Sequence, residues 1–327
     1  MSSVANVTIH ASQFPENVRR DLLESLRSRQ VNHKFHYDSV KQAQKWLALH
    51  QAYSSSRKDP DCAAIYNAAF AAAVAGHTLP QAHVIGLGCG GGQKDSRLLK
   101  QLAGLGKQLV YTPCDVSTPM VLVARQAVLA LVAEENCLPF VCDLASADDL
   151  PAFFQTQRPA GVPRLITFFG MMPNFEPDSI LPKLAKLVRP HDQLLLSANL
   201  APGPDYAAGV QRILPQYDNE LTHDWLMTFL LDLGVERNDG ELKFSVQECP
   251  PGGLKRVAAL FHFSKPRRLE VEGECFEFSE AENIRLFFSY RYTSDRVRRL
   301  LGQHGFELRQ QWITDSEEEG VFLCHRA

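Results

Sequence analysis

The chain has 327 residues, 45% apolar and 22% charged, enough to bury a core without disulfides or a structural metal and too apolar for extended disorder. Its 34 basic and 37 acidic residues leave a net charge of -3, which excludes the basic footprint of a nucleic-acid binder. The eight cysteines (Cys62, Cys89, Cys114, Cys137, Cys142, Cys249, Cys275, Cys324) form no CxxC pair, as expected of reduced core thiols in a cytoplasmic protein.

In chain order, Pro15 to Gln30 predicts a short helix, with Glu16 in its first turn and Leu22, Leu23 and Leu26 on one stripe. A second helical pattern runs from Ser39 to Ala52. The polar break SSSRKDPD then reads as a linker before an alanine-rich helix from Cys62 to Ala75. Beyond Gly76, the runs HVIGLG, QLVYTPCD, PFVCD, RLITFFG and QLLLSANL each read as a buried strand. Helical stretches around Ser96 to Leu105, Thr118 to Glu134 and Ile180 to Val188 lie between them. This alternation predicts an α/β fold, a doubly wound parallel sheet covered on both faces.

Past Ala201 the alternation stops. Pro204 to Gly234 is mainly helical, and LKFSVQE, KRVAALFHFS and RRLEVEGECFEFS read as antiparallel strands with turns such as NDG and PGG. At the end, Ser294 is expected to cap a helix ending near Gly305, and ELRQQWITD and GVFLCHR pair around DSEEEG, whose Glu317 to Glu319 read as a solvated turn. The expected organisation is an N-terminal helical arm over 1–60 and a Rossmann-like domain over 61–203. An inserted α+β lobe follows over 204–290, and a helix and hairpin over 291–327 complete the Rossmann-like domain.

The chemistry starts at VIGLGCGGGQK. Gly86, Gly88, Gly90, Gly91 and Gly92 follow a strand and precede a helix, where glycines let backbone amides approach a cofactor, and Gly86, Gly88 and Gly91 satisfy GxGxxG. Nicotinamide enzymes use the same pattern. Asp115 closes the next strand, where a carboxylate can accept both ribose hydroxyls, and Asp143 closes PFVCD, where one can accept from an adenine amine. The second acid favours S-adenosylmethionine over a dinucleotide, although Asp115 and Asp143 could each simply cap a turn or helix.

LGCGGGQKDSRLL, PCDVS, CDL, FFGMMPNFEP, QYDNELTHDWL and FSYRYTSDRVRRLLGQHGFE together resemble the histidine-specific, S-adenosylmethionine-dependent methyltransferase family, a class I methyltransferase fold. The resemblance covers nearly the whole chain. It implies cofactor contacts at Gly88, Gly90, Lys94, Asp115, Asp143 and Leu144, with Lys94 reaching the methionine carboxylate, and a tyrosine near the cofactor at Tyr37. It also implies substrate contacts at Tyr53, Gly170, Asn174 and Tyr217, which in the family hold an amino acid's α-amino and α-carboxylate groups. In family members that use histidine, a glutamate two residues before a serine binds the imidazole. Here Ser289 stands at the serine and Phe287 at the glutamate.

A phenyl ring cannot accept from an imidazole N–H, and leaving that group unpaired costs about 1 to 3 kcal/mol. The expected activity is therefore N-methylation of an amino acid, or related small molecule, with an apolar or aromatic side chain lined by Phe287, Phe288 and Met171 or Met172. If Glu282 faces that pocket instead, the imidazole reading returns. A nicotinamide-dependent oxidoreductase and a catalytically silent cofactor-binding protein stay open as alternatives. His33 and His36 lack further metal-ligand spacing, so no metal is expected. The N-terminus shows no export signal and no apolar segment suits a bilayer, so a cytoplasmic monomer is expected, with no nucleic-acid or membrane partner.

Overall fold

Local sequence rules account for the elements of the computed structural model, which describes residues 4–157, 162–250 and 252–327. Strand β1 (Thr8–Ile9) precedes helix α1 (Pro15–Arg27), which ends before Gln30 because Arg29 turns into the left-handed region. Helix α2 (Val40–Tyr53) starts from a capping box between Ser39 and Gln42. The predicted linker holds one helical turn, α3 (Ser55–Lys58), and the Asp59 cap starts α4 (Pro60–Ala75) two residues before Cys62.

The alternating region is β2 (Gln81–Leu87), α5 (Gln93–Gly104), β3 (Gln108–Asp115), α6 (Thr118–Val128), β4 (Phe140–Val141), α7 (Leu150–Gln157), β5 (Arg164–Phe168), α8 (Pro177–Leu187) and β6 (Gln193–Asn199). Helix α6 stops at Val128, short of the expected Glu134, and a 3-10 turn at Glu134–Asn136 follows. Strand β4 is short because Asp143 starts a turn, its carbonyl accepting from the N–H groups of Ser146 and Ala147.

Next come α9 (Tyr206–Ile213), α10 (Glu220–Asp232), β7 (Gly240–Cys249), β8 (Leu254–Phe263), β9 (Arg267–Val271), β10 (Glu274–Phe278), β11 (Asn283–Arg291), α11 (Ser294–Gln303), β12 (Phe306–Ile313) and β13 (Glu319–Arg326). RRLEVEGECFEFS is a hairpin rather than one strand, since Glu272 and Gly273 both take positive φ between β9 and β10. Strand β11, which carries FFSY, was not among the strands expected from the sequence. Thr293, not Ser294, caps α11, accepting from Arg296 N–H at 3.2 Å. Pro251 of the expected PGG turn lies outside the described residues.

The chain divides into two compact units. The first comprises Met1–Gln13, Ser55–Leu200 and Thr293–Ala327. Its eight-stranded sheet has the order β1-β4-β3-β2-β5-β6-β13-β12, parallel through β6 and antiparallel for the terminal hairpin. From β2 the chain winds outward through β3 and β4, then returns to β5 on the other side and continues to β6. This is the expected doubly wound α/β fold, with its topological switch at the carboxyl ends of β2 and β5. The core packs Ala69, Phe70, Leu98 and Leu99 with Val84 and Tyr111, all fully buried.

The second unit comprises Phe14–Ser54 and Ala201–Tyr292. It holds the three-stranded antiparallel sheet β11-β8-β7 and the hairpin of β9 and β10. Its core joins Leu26, Leu230, Ile284 and Leu286 with Trp225 and Phe261. A bulge between Arg285 and Phe287 resets the register of β11, placing Phe287 opposite Ala259 and Ser289 opposite Val257.

Candidate cofactor and substrate sites

The glycine-rich segment leaves β2 at the sheet's switch point, where open α/β sheets bind ligands. Gly88, Gly90 and Gly92 take φ of 65, 51 and 71°, so each needs the left-handed freedom of glycine. At Gly88 a Cβ would also lie 2.3 Å from the sulfur of Met171, so this backbone accommodates the loop after β5. Gly86 differs from the expectation. It is inside β2, paired with Pro113 and Thr167, and its missing side chain makes room for the Asp95 carboxylate, 2.0 Å from where a Cβ would sit. Asp95 is buried and accepts from the hydroxyls of Tyr111 and Thr167, each at 2.7 Å, joining β3 and β5 beneath the loop. Sequence reasoning missed Asp95.

Asp115 ends β3 with one oxygen accepting from Gly90 N–H at 2.9 Å and the other from Ser117 N–H at 3.1 Å. Burial pushes its carboxyl up to about 6, against these backbone donors. Asp143 accepts from Ala145 N–H at 2.8 Å, its own N–H donates to Ser12 Oγ at 3.0 Å, and Leu144 beside it is buried. Both acids therefore shape their loops, and each carboxylate oxygen carries a second lone pair for a ligand.

Lys94, in the first turn of α5, donates to the Tyr66 hydroxyl at 2.8 Å, and its ammonium is 3.9 Å from Glu319. Tyr66 donates in turn to Glu319, which also accepts from the Cys62 thiol at 3.4 Å. Glu319 is thus not the solvated turn residue expected: it opens β13 opposite Asn199, with its side chain turned to α4. After β5, Gly170 takes a φ of 70°, with open space where a Cβ would stand, and its N–H donates to Ser197 Oγ at 2.9 Å. Asn174 ends a 3-10 turn at Met172–Asn174, and Met172 is fully buried core.

In the second unit, Tyr217 donates to Ser289 Oγ at 2.9 Å and accepts from Arg291 at 3.0 Å, and its ring lies 6.3 Å from that of Phe287. Phe287 and Ser289 therefore share a face of β11, with Tyr217 across both. Phe287 also meets Trp225 and His33, while Tyr37 packs between Trp46 and Trp225. Phe288 alternates to the opposite side of β11, yet its ring also meets that of His33, at 4.6 Å. It packs with Tyr290 and lies under the guanidinium groups of Arg256 and Arg285, following the strand's alternation. Tyr53, at the end of α2, is 56% exposed. Glu282 is held by Arg29 at 2.6 Å and by Ser279 N–H at 2.9 Å, which commits its carboxylate to the turn before β11.

His33 was read from the sequence only as an improbable metal ligand. Both its ring nitrogens are buried without a hydrogen-bond partner, and burial and then the neighbouring His36, Arg285 and Arg256 hold it well below the usual imidazole range. Among the described residues no group of three or more His, Cys, Asp or Glu could hold a metal ion. No described helix is long and apolar enough to cross a membrane.

The description "Histidine-specific methyltransferase, SAM-dependent" matches residues 18–326, nearly the whole chain. The chain belongs to this family. It is a SAM-dependent methyltransferase with the class I, Rossmann-like fold. No curated protein matches it. Among solved structures, a SAM-dependent methyltransferase from Clostridium acetobutylicum ATCC 824 is 9% identical, with a TM-score of 0.47 over 87% of this chain and 98% of that one. Magnesium protoporphyrin IX methyltransferase from Synechocystis PCC 6803, with bound SAH, is 15% identical, with a TM-score of 0.42 over 96% and 100%. The glycopeptide N-methyltransferase MtfA, complexed with SAM, is 16% identical, with a TM-score of 0.38 over 80% and 93%.

The donor set at the switch point of this methyltransferase fits SAM: a lysine in the loop's helix and buried carboxylates ending β3 and the β4 turn. When bound, SAM supplies an electrophilic methyl group on a sulfonium.

Proposed function

We propose that this methyltransferase transfers a methyl group to the α-amine of an amino acid, or of a related small molecule, other than histidine. The observation that carries the reading is the placement of Phe287 on the same face of β11 as Ser289, with Tyr217 across both. In the family that face takes an imidazole on a glutamate. Here it offers a phenyl ring backed by Trp225, which suits an apolar or aromatic side chain. The placement of Glu282 in a pair with Arg29 supports this, because no carboxylate is thereby delivered to Ser289.

For the cofactor, the reading assigns Lys94 to the methionine carboxylate, Asp115 to the ribose hydroxyls, Asp143 and Leu144 to the adenine, and Gly88 and Gly90 to close backbone approach. For the substrate it assigns Tyr53, Gly170, Asn174 and Tyr217 to the α-amino and α-carboxylate groups, and Phe287 and Ser289 to the side chain. The amine must lose its proton before it attacks. Tyr37, packed between Trp46 and Trp225, is assigned to that step, where a partly dry setting also lowers an amine's proton affinity.

The test is a screen for S-adenosylhomocysteine release over free amino acids and simple amines. Turnover with aromatic or aliphatic amino acids and little with histidine is expected, with the methyl group found on the α-nitrogen. Histidine as the best substrate, or methylation of an oxygen or side-chain nitrogen, would overturn the reading.

A further inference from the structure

Tyr66, Ser197 and Glu319 have no place in the cofactor contacts above, yet they form one connected polar group with Lys94 inside the first unit. Tyr66 comes from the middle of α4 and is fully buried. Its hydroxyl accepts from the Lys94 ammonium at 2.8 Å and from Ser197, and donates to Glu319. Ser197 accepts from Gly170 N–H at 2.9 Å, so the same hydroxyl is connected to the loop after β5. All the hydrogen-bonding capacity of the phenol oxygen is used.

The Lys94–Glu319 separation is informative. At 3.9 Å the pair is at the outer limit of an ion pair, although both side chains are about four-fifths buried and their attraction is weakly screened. In that setting a lysine and a glutamate would close to a direct hydrogen bond of about 2.8 Å. The Tyr66 oxygen lies between them, accepting from one and donating to the other. The ammonium also rests 4.4 Å from the centre of the Tyr66 ring, which favours a cation without neutralising it. Lys94 is thus anchored through one of its three donors. Its side chain keeps about a fifth of its surface exposed in the first turn of α5, beside the glycine-rich loop.

We propose that Tyr66 is a positioning residue whose hydroxyl spaces Lys94 from Glu319, keeping the ammonium from collapsing onto that carboxylate and presenting it to the carboxylate of the cofactor's amino-acid end. This rests on the assignment of Lys94 to that carboxylate. It makes Glu319 a competitor that Tyr66 holds at a distance. Removing the hydroxyl lets Lys94 and Glu319 close directly, at the expense of the ligand.

The experiment is titration calorimetry on the full chain with two probes: S-adenosylhomocysteine, which carries the amino-acid end, and 5′-methylthioadenosine, which lacks it. Tyr66→Phe keeps the buried ring and is expected to weaken S-adenosylhomocysteine about tenfold while leaving methylthioadenosine nearly unchanged. Adding Glu319→Gln to Tyr66→Phe should regain much of the loss, because a neutral amide attracts the ammonium far less than a carboxylate does. Equal loss of both probes in Tyr66→Phe, or no regain in the double variant, overturns the proposal. Lys94→Met separates it from the reading beneath it. If Lys94→Met weakens only S-adenosylhomocysteine while Tyr66→Phe changes neither probe, the spacer role fails and the Lys94 assignment stands. If Lys94→Met changes neither probe, or both equally, the Lys94 assignment fails and the proposal with it. Should Tyr66→Phe not fold, Glu319→Gln alone decides: tighter S-adenosylhomocysteine binding is expected, and unchanged or weaker binding overturns the proposal.

Discussion

The His33 and Phe287 rings lie 5.1 Å apart, centroid to centroid, and neither nitrogen of the imidazole has a hydrogen-bond partner. On the proposed reading Phe287 stands where the family's histidine-using members place a carboxylate, and burial keeps the His33 imidazole beside it neutral.

Phe287→Glu should therefore do two things. It should raise affinity for histidine by about ten- to a hundredfold, the worth of one recovered hydrogen bond to a charged group. It should also give His33 an anionic neighbour, lifting its depressed proton affinity towards the ordinary imidazole range. Calorimetry with histidine and an NMR titration of the His33 ring read the two effects separately. A raised His33 pKa without histidine binding would mean that residue 287 faces His33 but not the substrate.

Gly86→Ala tests whether this glycine serves the cofactor or the core. A methyl group 2.0 Å from the Asp95 carboxylate must displace it from Tyr111 and Thr167, leaving buried polar groups unsatisfied. A loss of about 3 to 5 kcal/mol in urea unfolding is expected without any ligand present. The double variant with Asp95→Ala should cost less than the sum of the singles, because the collision is gone. Unchanged stability with weakened cofactor binding would return Gly86 to the loop's ligand chemistry.

The α/β alternation was legible because buried parallel strands are continuous apolar runs ending in Gly, Asp or Asn, and β2, β3, β5 and β6 follow that rule. The turn at Gly88 and Gly90 and its tie to Asp115 were legible because few residue types can turn the chain at a strand end. Strand β11 was hidden because Arg285, Ser289 and Arg291 interrupt its apolar run and the bulge between Arg285 and Phe287 breaks its alternation. Asp95, Tyr66 and Glu319 were hidden for another reason. They come from separate elements and pair only through the fold, so nothing in their local spacing signals it. Glu319 in particular looked solvated because it follows two other acids, Glu317 and Glu318.

His36 gives an acid-stability prediction. It is fully buried, with Nε2 2.6 Å from the Leu286 carbonyl, and burial pushes it down to about 4, partly offset by that bond. Its folded pKa lies below the unfolded value of 6.5, so its stabilisation is complete above about 6.5 and is lost as pH falls towards 4. Between pH 7 and 5 this amounts to about 2 kcal/mol. His36→Gln should lower stability at pH 7 and remove that share of the pH dependence in urea melts at the two pH values. An unchanged slope would mean that another group titrates in that range.

Asp115 acts in the opposite sense on stability and in the same sense on binding. Its folded carboxyl at about 6 lies above the ordinary 3.8, so its contribution to stability declines as pH rises from about 4 to about 6. The displacement corresponds to on the order of 3 kcal/mol, which the fold gives up to keep an ionised carboxylate beside Gly90 at neutral pH. That ionised form is the one able to accept from two ribose hydroxyls while also holding the N–H groups of Gly90 and Ser117. Affinity for S-adenosylhomocysteine should accordingly fall about tenfold between pH 7 and 5. Asp115→Asn should bind more weakly at pH 7, lose this pH dependence, and no longer lose stability as pH rises from 4 to 6. The same tenfold fall in Asp115→Asn would place the titrating group elsewhere and leave Asp115 as a loop anchor.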